Sequence, residues 1–183
     1  MPDKKDSGIV EVVIYGRGGQ GAKTAGELVA QAALMEGKFA QAFPEYGPER
    51  RGAPTRAFVR ISNKEIRTHE PILNPDYVVV LDSTLLSLIT MKDAIGIVNS
   101  KEPKSHFRKN FSVDATSISY DILQKAVPNT VMVGSFARVS KAVRIDTLLK
   151  ITEGLFSKKY GGPIVEKNLE MVRRGFDEVK SFE

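Results

Sequence analysis

Ile9–Tyr15 (IVEVVIY), Gly16–Gly21 (GRGGQG) and Ala22–Glu36 (AKTAGELVAQAALME) decide the fold of this 183-residue chain. The first stretch is apolar and rich in β-branched residues and stops at a glycine, which reads as a buried strand. The third reads as a helix with Gly37 as its C-terminal cap. Ala22, Ala25, Gly26, Val29 and Ala33 recur at helical spacing and are small, so this face can lie unusually close to a sheet. Lys23, Glu27 and Gln31 fall on the opposite side.

Working outward, Lys38–Phe43 reads as a short second strand ended by Pro44. Ala57–Ser62 and Lys64–Thr68 read as a hairpin joined at Ser62-Asn63. Tyr77–Asp82 (YVVVLD) is the strongest strand after the first, with Ser83-Thr84 capping a helix behind it. Gly96–Asn99 and Ser112–Asp114 are shorter strands. Helices are expected over Ser117–Lys125, Thr130–Ser140, Ile145–Ser157 and Pro163–Lys180, the last carrying the stripe Val165, Leu169, Val172, Phe176 and Val179. Strands alternating with helices predict an α/β fold with a largely parallel sheet covered on both faces. The expected architecture is a single three-layer Rossmann-like domain over residues 1–183, with one hairpin, C-terminal helices and a disordered stretch at 1–8.

Composition narrows the chemistry. Apolar residues make up 42% and charged residues 27%, a globular balance. No run approaches the roughly 18 apolar residues of a membrane span, and MPDKKDSG does not read as a signal peptide, so a cytoplasmic location is expected. Zero cysteines exclude disulfides, a thiolate nucleophile, cysteine-bound zinc and any iron–sulfur cluster held by this chain. His69 and His106 are the two imidazoles, too few for a His-rich metal site, and both read as loop or surface residues. The net charge of +5 lies entirely in residues 101–183, which hold 15 basic and 10 acidic side chains. Such a surface suits nucleic acid, an acidic partner protein or a phosphorylated ligand, or is simply solvated. No basic run is interleaved with aromatics, so neither nucleic acid nor a membrane is expected as a partner.

Gly16-Arg17-Gly18-Gly19-Gln20-Gly21 matches G-x-G-x-x-G between a strand and a helix. Glycine allows backbone amides to approach an anion, and a helix N-terminus adds favourable partial charge. A dinucleotide site further needs an acid ~20 residues on, at the end of the second strand; Glu45 is the candidate, behind Pro44. A P-loop needs lysine directly after the last glycine; Ala22 displaces Lys23 by one residue, about 100° around the helix. A third reading is an assembly or ligand surface in a larger enzyme, the loop touching a cofactor held by other chains. A fourth is that the glycines serve only tight packing of the helix.

Ala42–Pro54 (AFPEYGPERRGAP) is the second conspicuous segment. A connection this elaborate suggests function or an interface, and Glu49, Arg50 and Arg51 can pair with a partner chain or clamp an anion. Asp82 and Asp114 read equally as helix caps or, for Asp82, as a ligand-facing strand end. Met132 and Phe136 read as core.

GRGGQGAKTAGELVAQAA, GKFAQAFPEYGPERRGAPTRAFVRI and NPDYVVVLD together resemble the gamma subunit of pyruvate:ferredoxin oxidoreductase and its 2-oxoacid (ketoisovalerate-type) relatives. VDAT, PNTVMVG and the terminal helix with Lys167-Asn168 and Arg173-Arg174 extend the likeness over nearly the whole chain. The visible departure is Tyr46, where the family pattern carries Phe.

The resemblance implies a complex that oxidatively decarboxylates a 2-oxoacid, pyruvate foremost, on thiamine pyrophosphate with magnesium. Electrons pass through iron–sulfur clusters to ferredoxin, and the acyl group goes to coenzyme A. It implies alpha, beta and ferredoxin-like delta subunits as partners, and no catalytic or metal-binding residue in this chain, which alone would be inactive. Arg17, Gly18, Gly19, Gln20, Gly21, Thr24, Arg50 and Arg51 are then candidates to line the route of coenzyme A, or to bind another subunit. The alternatives are a stand-alone NAD(P)-dependent oxidoreductase and a purely structural interaction module.

Overall fold

A strand apolar on both faces must be sandwiched, and β1 (Ile9–Arg17) is, with Val12 to Gly16 buried. The computed structural model describes residues 8–45 and 52–182. Most of the expected disordered stretch 1–8, together with Tyr46 and Glu49–Arg51, therefore lies outside the described residues. β1 pairs antiparallel with β3 (Pro54–Ser62) from Ile9↔Ser62 to Arg17↔Pro54, and parallel with β4 (Tyr77–Val80) from Val12↔Tyr77 to Tyr15↔Val80. With β2 (Phe39–Pro44), β5 (Ile95–Asn99), β6 (Lys109–Val113) and β7 (Lys180–Phe182), the sheet runs β2-β3-β1-β4-β5-β6-β7. β4, β5 and β6 run parallel to β1, while β3 and β7 oppose their neighbours.

The two faces are covered by different means. Val12, Ile14, Ala57, Val59, Val79 and Ile97 point into a core shared with α1 (Ala22–Met35), α2 (Ala115–Leu123), α3 (Asn129–Ser140), α4 (Ile145–Ser157) and α5 (Gly162–Glu178). The alternate residues Val13, Tyr15, Phe58, Val78, Val80 and Val98 meet Ile72, Leu85, Ile89, Ala94 and Phe107, which come from a 3-10 helix (Ser83–Leu88) and extended connections. The layers are thus helices, sheet, and a thinner cover of connecting segments, in keeping with the expected α/β fold.

Three local expectations are corrected. Lys64–Thr68 is not a strand: both edges of β3 are already taken, by β1 and β2, so the hairpin forms between β2 and β3. The 64–70 segment instead crosses the sheet face, its Ile66 and Glu70 carbonyls accepting from Gln41 Nε2 (3.2 Å) and Arg60 Nη2 (2.6 Å). The last helix stops at Glu178 rather than Lys180, because Lys180–Phe182 fills the open edge of β6. Behind Tyr77–Asp82 the chain makes a 3-10 turn capped by Asp82 itself, not by Ser83-Thr84.

The helical layer is unusually tight where α3 meets α5. A Cβ on Gly134 would stand 2.0 Å from the Val172 carbonyl oxygen, and one on Gly175 would stand 1.9 Å from that of Val131. Across this contact Ser135 donates to the Gly175 carbonyl at 2.8 Å. Gly175→Ala is therefore expected to overpack the contact and cost about 1–3 kcal/mol, read as a lower urea midpoint with an unchanged slope.

Candidate functional site

The sheet opens between β1 and β4. The Leu81 amide donates to the Tyr15 carbonyl (2.8 Å), and pairing on that side ends there, while β1 continues against β3 to Arg17. β1 connects through α1 to strands on one side, and β4 lies on the other, so this is the topological switch point where open α/β sheets take ligands. The glycine loop crosses that opening. Gln20 closes the turn twice, its amide donating to the Arg17 carbonyl (2.9 Å) and its Oε1 accepting from the Arg17 amide (2.7 Å).

Gly21 then caps α1 with φ +84°, a left-handed conformation that favours glycine. No side chain caps α1 and no acid stands in its first turn, so its first amides keep their donor capacity. Gly26, one turn on, sits where a Cβ would be 3.3 Å from Val59, which confirms the small helix face expected from the sequence. Gly18 and Gln20 are half-buried and Gly19 is exposed; Thr24 is half-buried on the next turn of α1.

Arg17 and Asp82 close the opening like a clasp. Arg17 Nε donates to Asp82 Oδ2 at 2.9 Å, Nη1 to the Gly52 carbonyl at 3.1 Å and Nη2 to Thr84 Oγ1 at 2.7 Å. Asp82 also accepts from Gln20 Nε2 (3.3 Å), the Thr84 amide (3.0 Å) and the Thr84 hydroxyl (2.6 Å). Burial pushes the Asp82 carboxyl up, but the hydrogen bonds from Thr84, Gln20 and Arg17 outweigh it and hold the group below the ordinary aspartate value. The candidate cation Arg17 is thus engaged mainly in fixing its own loop.

The two conspicuous motifs meet here. Gly18 donates to the Ala53 carbonyl (2.8 Å), and Gly52 donates back to the Gly18 carbonyl (3.2 Å). At the other end of the segment, the Glu45 amide donates to the Arg56 carbonyl (2.9 Å), and the Glu45 carboxylate pairs with the Arg56 guanidinium through both oxygens. The Glu45 hydrogen bonds raise the Arg56 pKa further, although burial opposes them, and Arg56 also donates to Tyr15 Oη at 3.4 Å. Glu45 is therefore committed to Arg56 rather than offered to a ribose. Arg50 and Arg51 lie outside the described residues; the Gly52-Ala53 end of their segment is bonded to the glycine loop, and the Glu45 end is held by Arg56 of β3.

Other groups frame the opening. Asn99 donates to the Leu81 carbonyl and to Thr116 Oγ1, both at 2.8 Å, and accepts from the Thr116 amide at 3.1 Å, tying β4, β5 and the start of α2 together. Asn129, at the start of α3, lies directly on Gly21: its Nδ2 is 2.5 Å from where a Cβ on that glycine would be. Sequence reading missed Asn129 and Asn99 as site residues; Pro128-Asn129-Thr130, a helix start placed behind a strand-rich half, is the signal that marks the former. Lys23 points away, 66% exposed and 3.8 Å from Glu27, as its displaced position requires. His69 is exposed, and the half-buried His106 ring bonds the Ile89 carbonyl at 2.9 Å, away from this opening. Among the described residues no group of three His, Asp or Glu could hold a metal ion, and no helix is long and apolar enough to cross a membrane.

Residues 11–178 match the profile of the pyruvate ferredoxin/flavodoxin oxidoreductase family. The chain belongs to that family. It is 42% identical to the pyruvate synthase subunit PorC of Thermotoga maritima, over 94% of this chain and 96% of that one. It is 40% identical to the pyruvate/ketoisovalerate oxidoreductases common subunit gamma of Pyrococcus furiosus, over 96% and 100%. A crystal structure of pyruvate oxidoreductase subunit PORC from Thermotoga maritima superposes with a TM-score of 0.84 at 39% identity, covering 96% and 99%. A fold likeness at 18% identity (TM-score 0.76) links it to 31% of a longer chain, the 2-oxoglutarate:ferredoxin oxidoreductase of Magnetococcus marinus. The match runs end to end against gamma chains, so this is a gamma-type subunit of a family oxidoreductase complex, with the sheet opening as its candidate site.

The clasp carries a testable consequence. A carboxylate held below its ordinary pKa contributes stability that is present above the unfolded value and lost as pH falls through the folded one. Asp82→Ala is expected to cost about 1–3 kcal/mol at pH 7, with the gap to wild type narrowing as the pH falls below the ordinary aspartate value of about 3.9, measured by urea denaturation across pH. A gap that does not change with pH would mean the charge is not what matters.

Proposed function

We propose that this gamma chain serves a pyruvate:ferredoxin oxidoreductase, assembled with alpha and beta chains that hold thiamine pyrophosphate and magnesium and a ferredoxin-like delta chain that holds iron–sulfur clusters. In the proposal its part is to present Gly18–Gly21 and the Arg50-Arg51 segment to coenzyme A, whose thiol takes the acyl group. The complex is placed in the cytoplasm. The observation that carries the reading is the pair of hydrogen bonds between Gly18 and Gly52-Ala53, which joins both family motifs at the switch point.

The chemistry fits an anionic ligand. The α1 amides behind Gly21 face the opening uncapped, and a phosphate gains from both their donors and the helix dipole. Arg17 spends three of its five N–H donors on Asp82, Thr84 and Gly52, leaving two on a side chain that is 35% exposed. Gln20 and Thr24 add neutral donors at the same edge. The chain supplies binding and orientation, with the reacting centre on other subunits, so no residue here is assigned a catalytic role.

One observation favours a second reading, a subunit that only stabilises its partners. Arg17 and Arg56 are both neutralised by carboxylates of this chain, which leaves less free positive charge than the sequence suggests. The two readings separate in a reconstituted complex carrying Arg50→Ala and Arg51→Ala. Coenzyme A binding predicts that the apparent KM for coenzyme A rises about tenfold, while coenzyme A-independent decarboxylation of pyruvate is unchanged. An unaltered coenzyme A requirement with lowered complex stability would establish the second reading.

A further inference from the structure

Two helices begin at one point beside the sheet opening. The Gly21 carbonyl accepts from Ala25 (2.9 Å) to start α1, and the Pro128 carbonyl accepts from Met132 (3.0 Å) to start α3. The amides ahead of each have no intrahelical acceptor. Neither helix has a side-chain cap, and neither carries an acidic residue in its first turn. Between them lies Asn129. It is 5% exposed, and its Nδ2, Cγ and Cβ stand 2.5, 2.8 and 3.1 Å from the position of a Gly21 Cβ. Its amide has two donors and an acceptor, yet it has no hydrogen-bond partner among the described residues. Among the described residues the fully buried side-chain atoms without a partner are Gln41 Oε1, Arg60 Nη1 and Ser112 Oγ, so the polar end of Asn129 touches solvent and is open to a ligand from outside the chain.

We propose that Asn129 and the converging N-termini of α1 and α3 form a phosphoryl-anion site, with Asn129 Nδ2 as its side-chain donor. Glycine at 21 is what admits Asn129: any larger residue would displace the amide and would also strain the left-handed backbone. Two helix N-termini supply partial positive charge and free N–H groups to one oxyanion, and the neutral amide adds a donor without a lysine or arginine. The proposal rests on the coenzyme A reading only for the source of the anion, since pyrophosphate, phosphate and a coenzyme A phosphate share the chemistry that would be recognised.

The test uses the full chain titrated with inorganic pyrophosphate at constant ionic strength, alongside Asn129→Asp and Asn129→Ala. Asn129→Asp places a carboxylate at both helix N-termini, so its melting temperature is expected to match or exceed that of wild type. Its affinity for pyrophosphate is expected to fall about ten- to a hundredfold, with Asn129→Ala falling about tenfold. A merely structural Asn129 would change melting temperature without touching the titration. Absence of saturable pyrophosphate binding in wild type, or equal affinity in wild type and Asn129→Asp, overturns the site. In the complex, loss of pyrophosphate binding by Asn129→Asp with an unchanged KM for coenzyme A would uphold the site and overturn coenzyme A as its source.

Discussion

β1 stays with β3 to Arg17 but leaves β4 after Tyr15, and the rest of the candidate site depends on that mismatch. A central strand released on one side and held on the other opens the sheet without freeing the loop that follows. The loop has to cross an opening, and its amides would be left to water were it not folded back on itself by Gln20 and pinned by Asp82. The Arg17–Asp82 pair is only partly screened, with side chains 35% and 19% exposed, so it holds more firmly than a surface pair would. It fixes three segments at once: the glycine loop, the end of β4 and the stem of the Arg50-Arg51 segment.

The same geometry explains what the site lacks. Each arginine described near the opening has a carboxylate of this chain on it, and the acid that a dinucleotide site would use is one of those carboxylates. A self-sufficient nicotinamide enzyme needs that acid for a ribose, and a P-loop needs its lysine over the loop rather than 66% exposed on the far face. What remains is backbone: glycines, uncapped helix starts and neutral amides. Such donors suit phosphate oxygens and need no ionisable group of their own. In the proposed function the chain binds and orients while its partners do the chemistry, and such donors are enough for that part.

Much of this was legible in the sequence where the signal is local. The strand, glycine loop and small-faced helix read correctly because their periodicities and turn residues are contiguous. The partner of Arg17 did not, since Asp82 lies 65 residues away and an aspartate after a strand is an equally good helix cap; the structure uses it as both. Lys64–Thr68 has strand-like composition but no free edge to join, a fact set by β1 and β2 rather than by the segment. Val179 continues the apolar stripe of α5, yet the chain leaves the helix there because β6 offers an unpaired edge, and tertiary pairing outweighs periodicity. Asn129 stands just ahead of the helix expected over Thr130–Ser140, and only its contact with Gly21 shows that two helix N-termini meet.

In the proposed assembly the glycine loop of this subunit faces coenzyme A. Hydrogen–deuterium exchange of the assembled complex, with and without coenzyme A, tests it most directly. Slower exchange is expected across Gly18–Thr24 when coenzyme A is present, most of all at the Gly21–Thr24 amides, which precede the first intrahelical hydrogen bond of α1 at Ala25. Protection confined to the other subunits, with Gly18–Thr24 exchanging at the same rate in both states, would contradict it.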